Sequence, residues 1–251
     1  MKKTLSLLAV LMVAGIAATP AQAATHYVSG FGGVSWMNNL VTSDTYINGP
    51  GKDNYTTSSD LGSGLALTGA IGCDYGSYRL EAEVGYQTNS VKSAVDFNNG
   101  AAISYPVEGT RYAMRGDISV LSLMGNGYYD IDLGSKVELY ATAGVGVAQV
   151  CFHNAHSVYN TGAPLVANPD PGFNAHETTL AWQVGAGIAA PISDHVKLDL
   201  RYRYFATTDF TVSDLGSGNW SVGQNYTHGD SNSANTNLSS HSVLLGLRVD
   251  F

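Results

Sequence analysis

The segment from Val196 to Phe205 sets the pattern for the whole chain. Lys197, Asp199, Arg201 and Arg203 are charged, and each is flanked by an apolar or aromatic residue: Val196, Leu198, Leu200, Tyr202 and Tyr204. A period of two puts successive side chains on opposite faces of a β-strand. The spacing therefore predicts a strand with one face made of charge and the other of hydrocarbon. Seven further segments carry strand character: His26 to Trp36, Gly64 to Asp74, Tyr78 to Val91, Ala113 to Tyr129, Lys136 to Val150, Thr178 to Ala190, and Asn237 to Phe251. In the third, Tyr78, Leu80, Ala82, Val84 and Tyr86 alternate with Arg79, Glu81, Glu83, Gly85 and Gln87. In the fifth, Val137, Leu139, Ala141, Ala143, Val145 and Val147 oppose Glu138, Tyr140, Thr142, Gly144 and Gly146. The first is too rich in glycine to assign its faces, and the fourth alternates less cleanly.

The connections alternate in length. Three are short, near Tyr75, Asp132 and Pro191, and four are long: about 37–63, 92–112, 151–177 and 206–236. Amphipathic strands of about ten residues, joined alternately by tight turns and long loops, are the signature of transmembrane barrels. A soluble β-sandwich gives the same period, with its charges outside and its apolar faces in the core. The loop asymmetry and the two ends of the chain favour the membrane. Met1-Lys2-Lys3, the apolar run from Leu5 to Ala18, and Ala21-Gln22-Ala23 read as a secretory signal peptide over residues 1–23, so the mature chain is expected to start at Ala24. At the other end Val243, Leu245, Leu247, Val249 and Phe251 share one face. A chain that stops inside a strand suits a closed sheet, in which that strand is paired on both sides. The expected fold is all-β: an antiparallel up-and-down outer-membrane barrel of eight strands over residues 24–251. Asn99-Gly100 lies between short apolar stretches, and Phe210 to Tyr226 could form a second hairpin. If one of these hairpins spans the membrane, the barrel has ten strands.

Composition narrows the partners. A formal charge of −8, made more acidic by loss of Lys2 and Lys3, excludes a nucleic-acid partner, which needs a basic face. Hydrophobic residues make up 44% of the chain, yet no run of about twenty follows Ala23, so the apolar content is spread over strands rather than helices. The two cysteines, Cys73 and Cys151, fall at opposite ends of the predicted barrel and are expected to remain unpaired.

The segments Tyr27-Val28-Ser29-Gly30-Phe31-Gly32-Gly33, Asn126-Gly127-Tyr128-Tyr129-Asp130, Gly185-Ala186-Gly187-Ile188, Lys197 to Tyr204 and the terminal Phe251 resemble the small outer-membrane β-barrel family of opacity-type surface antigens and the membrane domain of outer-membrane protein A. The resemblance implies this architecture, insertion by the barrel-assembly machinery with Phe251 as its signal, and contact with outer-membrane lipid. It does not imply one activity, because the fold hosts adhesins, immune-evasion proteins and structural barrels.

The candidate functional residues are those opposite the apolar faces. Arg79, Lys197, Arg201, Arg203 and Arg248 are expected inside with Glu81, Glu83, Glu138, Asp199 and Asp250. Strands three and seven face each other across an eight-stranded barrel, so Glu81 and Glu83 are expected to meet Arg201 and Arg203. Trp36, Tyr86, Tyr128, Trp182, Tyr202 and Tyr204 are expected in interfacial girdles. Catalysis is not expected: His241 and Ser242, being adjacent, point to opposite faces, as do His176 and Glu177. Although His153, His156, His176, Asp170 and Glu177 have metal-ligand chemistry, their spacing matches no known site, and they read as loop residues. No cofactor is expected. Two functions remain open: a surface or structural barrel whose long loops contact a host or environmental ligand, and a small porin-like channel.

Overall fold

The computed structural model describes residues 24–48, 51–98, 101–102, 112–131, 136–158, 173–213 and 233–251. The expected signal peptide and the tips of several connections lie outside these residues. Twelve strands are described: β1 Thr25–Met37, β2 Leu40–Asn48, β3 Gly51–Asp74, β4 Tyr78–Asn98, β5 Ala101–Ala102, β6 Tyr112–Ile131, β7 Glu138–Val158, β8 Phe173–Pro191, β9 Val196–Thr207, β10 Phe210–Ser213, β11 Ser233–Thr236 and β12 Ser239–Asp250. Eight of them close a ring in the order β1, β12, β9, β8, β7, β6, β4, β3, with β3 pairing β4 on one side and β1 on the other. Every pairing in the ring is antiparallel. The predicted eight-stranded barrel is thus the observed one. The β4–β5 and β10–β11 hairpins attach outside the ring.

The outer wall is apolar wherever the sequence alternates. Val145 is 70% exposed, Leu180 59% and Ile71 55%, values that suit contact with lipid tails rather than water. On β4 the outward aromatics Tyr78 and Tyr86 bracket this band. Eight residues of tilted strand cover about 20 Å, close to the height expected of the apolar belt. One girdle assignment needs correction. Tyr128 shares its facing with Ser122, Met124 and Asn126, lies inside the barrel and is only 3% exposed, whereas its neighbour Tyr129 faces out and packs on Tyr78 with ring centroids 5.4 Å apart.

The long connections are less loop-like than expected. β3, β4, β6 and β7 run 20 to 24 residues, well beyond a membrane crossing. β2 pairs with the outer half of β3 from Leu40↔Ser59 to Asn48↔Gly51. The stretch from Phe210 does form a hairpin, but its returning strand is Ser233–Thr236, beyond Tyr226. Register shifts interrupt the β3–β4, β4–β6, β6–β7 and β7–β8 ladders at 60–64, 90–93, 115–117 and 152–155. Such bulges bend and twist a strand. At the β6–β7 shift the backbone enters the left-handed region at Gly116 (φ 134°) and Asn154 (φ 47°).

Inward glycines make room for their neighbours. A Cβ on Gly187 would lie 2.3 Å from the Tyr140 hydroxyl, and one on Gly146 would lie 2.0 Å from the carbonyl oxygen of Leu123. Gly30, on the lipid face, has nothing within 4 Å of that position. Because a backbone carbonyl in a closed ladder cannot retreat, Gly146→Ala is expected to cost about 1–3 kcal/mol, the usual penalty for overpacking. Gly30→Ala should be neutral. Urea titration of the barrel in lipid vesicles, read by heat-modifiable gel migration, separates the two.

Candidate functional site

The barrel interior has two storeys. The lower one, beside the short turns and the chain end, is ionic. Arg79 donates through Nε and Nη2 to both carboxylate oxygens of Asp130 at 2.7 Å, and its guanidinium lies 4.4 Å from the ring centre of Tyr128 and 4.9 Å from that of Tyr140. Arg248 donates to Glu138 at 2.5 Å, and Lys197 reaches the other oxygen of the same carboxylate. Asp250 lies 3.9 Å from Lys197 and 3.7 Å from Arg248.

Above this floor the partners come from opposite walls. Arg201 of β9 donates to Glu83 of β4 at 2.9 Å and stacks over Phe31 at 3.9 Å. Arg203 lies 3.8 Å from Glu83 and donates to Gln87 at 3.1 Å. Gln183 bridges Glu83 at 3.0 Å and Asn126 at 2.7 Å. Asp199 accepts from the Tyr140 hydroxyl at 2.6 Å. Glu81 does not meet either arginine within ion-pair distance among the described residues. Its oxygens accept instead from Tyr128 at 2.6 Å, Tyr27 at 3.2 Å and Asn126 at 3.3 Å. A carboxylate can be satisfied by neutral donors when enough of them converge, and here two tyrosines and an asparagine do so.

The upper storey is apolar. Met37, Val91, Ile118, Met124, Phe152 and Phe205 pack inside the barrel as one cluster, joined from the outer connections by Leu40, Phe210, Val212 and Leu238. Between the storeys, Gly85, Gln87, Val120, Ser122, Arg203 and Phe205 border a gap too small to hold a water molecule. Arg203 spans the boundary, its guanidinium 5.7 Å from the Phe205 ring centre.

Two contacts have no signal in the alternation. Asp130, beside the short turn near Asp132, pairs with Arg79 and makes the interior acids outnumber the bases. His153, expected in a loop, lies on β7, and its contact with Ser119 has no signal in the sequence: Ser119 Oγ lies 2.8 Å from His153 Nε2 on neighbouring strands, and Cys151 is the residue opposite Ser119 in register. His241 is partly exposed on the outer wall and Ser242 is buried inside, on opposite faces. The side chain of His156 and all of Asp170 lie outside the described residues. Among those described, no three His, Cys, Asp or Glu gather as metal ligands. Cys73 and Cys151 are free thiols, Cys73 lying 3.3 Å from His26 Nδ1 at the lower end.

Residues 6–251 match the family described as the outer membrane protein beta-barrel domain. The chain belongs to that family. It is 24% identical over 260 residues to the outer membrane protein PagN of Salmonella typhimurium, with full coverage of both chains. It is 27% identical over 244 residues to a candidate adhesin of Rickettsia bellii, covering 96% of this chain and 98% of that one. Among solved structures, OprG of Pseudomonas aeruginosa superposes with a TM-score of 0.52 at 13% identity, covering 91% of this chain and 96% of the other, a likeness of fold alone. The closed ring, its lipid-facing band and the family together place the protein in the outer membrane.

Removing one partner of a buried ion pair leaves the other charge stranded, at a cost of about 3–5 kcal/mol. Arg201→Ala takes from Glu83, which is fully buried, its direct ion-pair hydrogen bond and leaves it only Gln183 and the more distant Arg203, so the loss is expected at the lower end of that scale. Lys197→Ala, at the partly exposed rim, should lose about 1 kcal/mol or less. Vesicle-based urea unfolding of both variants reads the difference. Equal midpoints for Arg201→Ala and wild type would show that Glu83 does not depend on its arginine.

Proposed function

We propose that this outer-membrane barrel is a surface interaction protein. Its interior acts as a plug, and its outward strand extensions form the binding surface. The observation that carries the reading is the double filling of the lumen. An eight-stranded barrel has room for its own side chains and little else. Here Arg79, Glu81, Glu83, Arg201, Arg203 and Arg248 are nearly sealed from solvent, and an apolar layer covers them. In this reading, neither storey, among the described residues, leaves a hydrated path for ions. The network of Arg79, Glu81, Glu83, Glu138, Lys197, Asp199, Arg201, Arg203, Arg248 and Asp250 then has a structural task, which is to brace opposite walls. Among the described residues, what the protein presents outward is strand: β2 against β3, and the β4–β5 and β10–β11 hairpins.

The adhesin names of its relatives support a binding role at a host or environmental surface. We read the chain as non-catalytic, because the Ser119–His153 contact lies on the outer wall and, among the described residues, no hydrogen bond joins His153 to an acid. Residues 1–23 serve as a cleaved export signal in this scheme, and Phe251 as the mark read by the barrel-assembly machinery.

The test exchanges the outer half of the β2–β3 hairpin, residues 44–55, for a short Asn-Gly turn. Cells expressing the variant are expected to lose most surface attachment while the protein still migrates as a folded, heat-modifiable barrel. Planar-bilayer recording of the intact protein should give no steady conductance step. Undiminished attachment by the variant, with well-resolved unitary currents from the wild type, would replace this reading with the porin-like one.

A further inference from the structure

The aromatic residues at the outer edge of the lipid-facing band are not spread evenly. Among the described residues, Trp36, Trp182, Tyr202, Tyr204 and His241 lie on four consecutive strands of the ring, β1, β12, β9 and β8. The other four strands contribute Tyr86 at this level, while β6 and β7 present Leu121 and Val145. The five rings form a connected patch. Trp182 and Tyr204 have centroids 5.4 Å apart, Tyr204 and His241 are 5.0 Å apart, and the Tyr202 hydroxyl lies 2.6 Å from His241 Nδ1. Trp36 is the direct neighbour of His241 in the β1–β12 ladder. Trp36, Trp182 and Tyr202 are 40–47% exposed. An interfacial girdle needs aromatic rings but not their segregation to one wall. It also has no use for a histidine, whose remaining ring nitrogen adds a polar contact beside the aromatic faces.

Below the patch, on β1, β9 and β12, the wall has a shallow, open apolar depression around Gly30, where no side chain projects, bordered by Val28, Leu198, Leu245, Leu247 and Val249. Gly30 lies six residues below Trp36 along β1, a drop of about 15 Å on a tilted strand. That is the reach of an acyl chain whose headgroup lies at the patch.

We propose that the β8–β9–β12–β1 wall is a binding site for one class of outer-membrane lipid, a glycolipid. The aromatic faces stack on its sugar rings, His241 and the Tyr202 hydroxyl contact its polar groups, and an acyl chain lies in the depression at Gly30. Sugar C–H faces pack on aromatic rings, and a phospholipid with no sugar offers nothing equivalent to stack.

The experiment reconstitutes the full-length protein in phosphatidylethanolamine vesicles containing lipid A and measures the lipid A retained after extraction into detergent by native mass spectrometry. Wild type is expected to retain lipid A in preference to phosphatidylethanolamine. The triple variant Trp182→Leu, Tyr204→Leu, His241→Leu should retain about tenfold less, equivalent to about 1.4 kcal/mol. All three side chains lie on the outer wall, so heat-modifiable migration of the variant reports an intact barrel. The single change Tyr204→Leu, losing part of the preference, serves if the triple variant does not insert. Leu121→Ala, on the far wall, should retain lipid A as wild type does. The proposal is overturned if wild type shows no preference, if Tyr204→Leu and the triple variant retain as much as wild type, or if Leu121→Ala loses as much as they do.

Discussion

Glu83 stands where β4 faces β9 across the barrel, and Arg201 closes on it from the far wall with Arg203 and Gln183 alongside. The contact spans the bore, so it fixes the distance between two strands that share no ladder. Around it the remaining interior falls into place. Arg201 also reaches Tyr140, which holds Asp199, and Tyr140 and Tyr128 together cover the guanidinium of Arg79. In a space of low dielectric, each of these charges would be costly alone. Their worth lies in the fact that none can leave without stranding another.

The constraint behind this arrangement is the bore itself. Eight strands enclose a cylinder that must be filled from its own wall, so large inward residues need small inward neighbours. Tyr140 stands beside Gly187, Tyr27 beside Gly72 and Phe31 beside Gly246, each glycine lacking the Cβ that would collide with the ring. Much of the high glycine content of the sequence is explained by this packing, not by turns. The change from charged to apolar filling above Arg203 has a related cause. The upper lumen is closed by the outer connections, and Leu40, Phe210, Val212 and Leu238 extend its core upward.

Where lipid and charge lay on opposite faces, the sequence made the architecture plain. The strict alternation of β9, β4 and β12 defined the outer wall, and short turns alternating with long connections defined the direction of the chain. Legibility failed where the contrast between faces disappeared. On β6, Ile118, Val120 and Met124 point in while Leu121 and Leu123 point out, so the period of two carries no hydropathy signal and Tyr128 is easily placed on the wrong side. Above the membrane, the stretches Thr42 to Thr45 and Thr56 to Asp60 are polar without alternation, so in sequence they look like loop. Asp130 was hidden for another reason. It ends its strand beside a turn, and only the closed ring brings it to Arg79.

The continuity of β3, β4, β6 and β7 from the floor of the barrel to the outer hairpins has a mechanical consequence. A load applied at the outer end of such a strand runs parallel to it, and its ladder bonds lie across that direction. Those bonds are strained together, in shear, rather than opened one after another. The register shifts break the ladders between the membrane segment and the outward extension, but the backbone of each strand runs through them and carries the load from one to the other. Under the proposed surface-binding role, the tether and the grip would be the same strand.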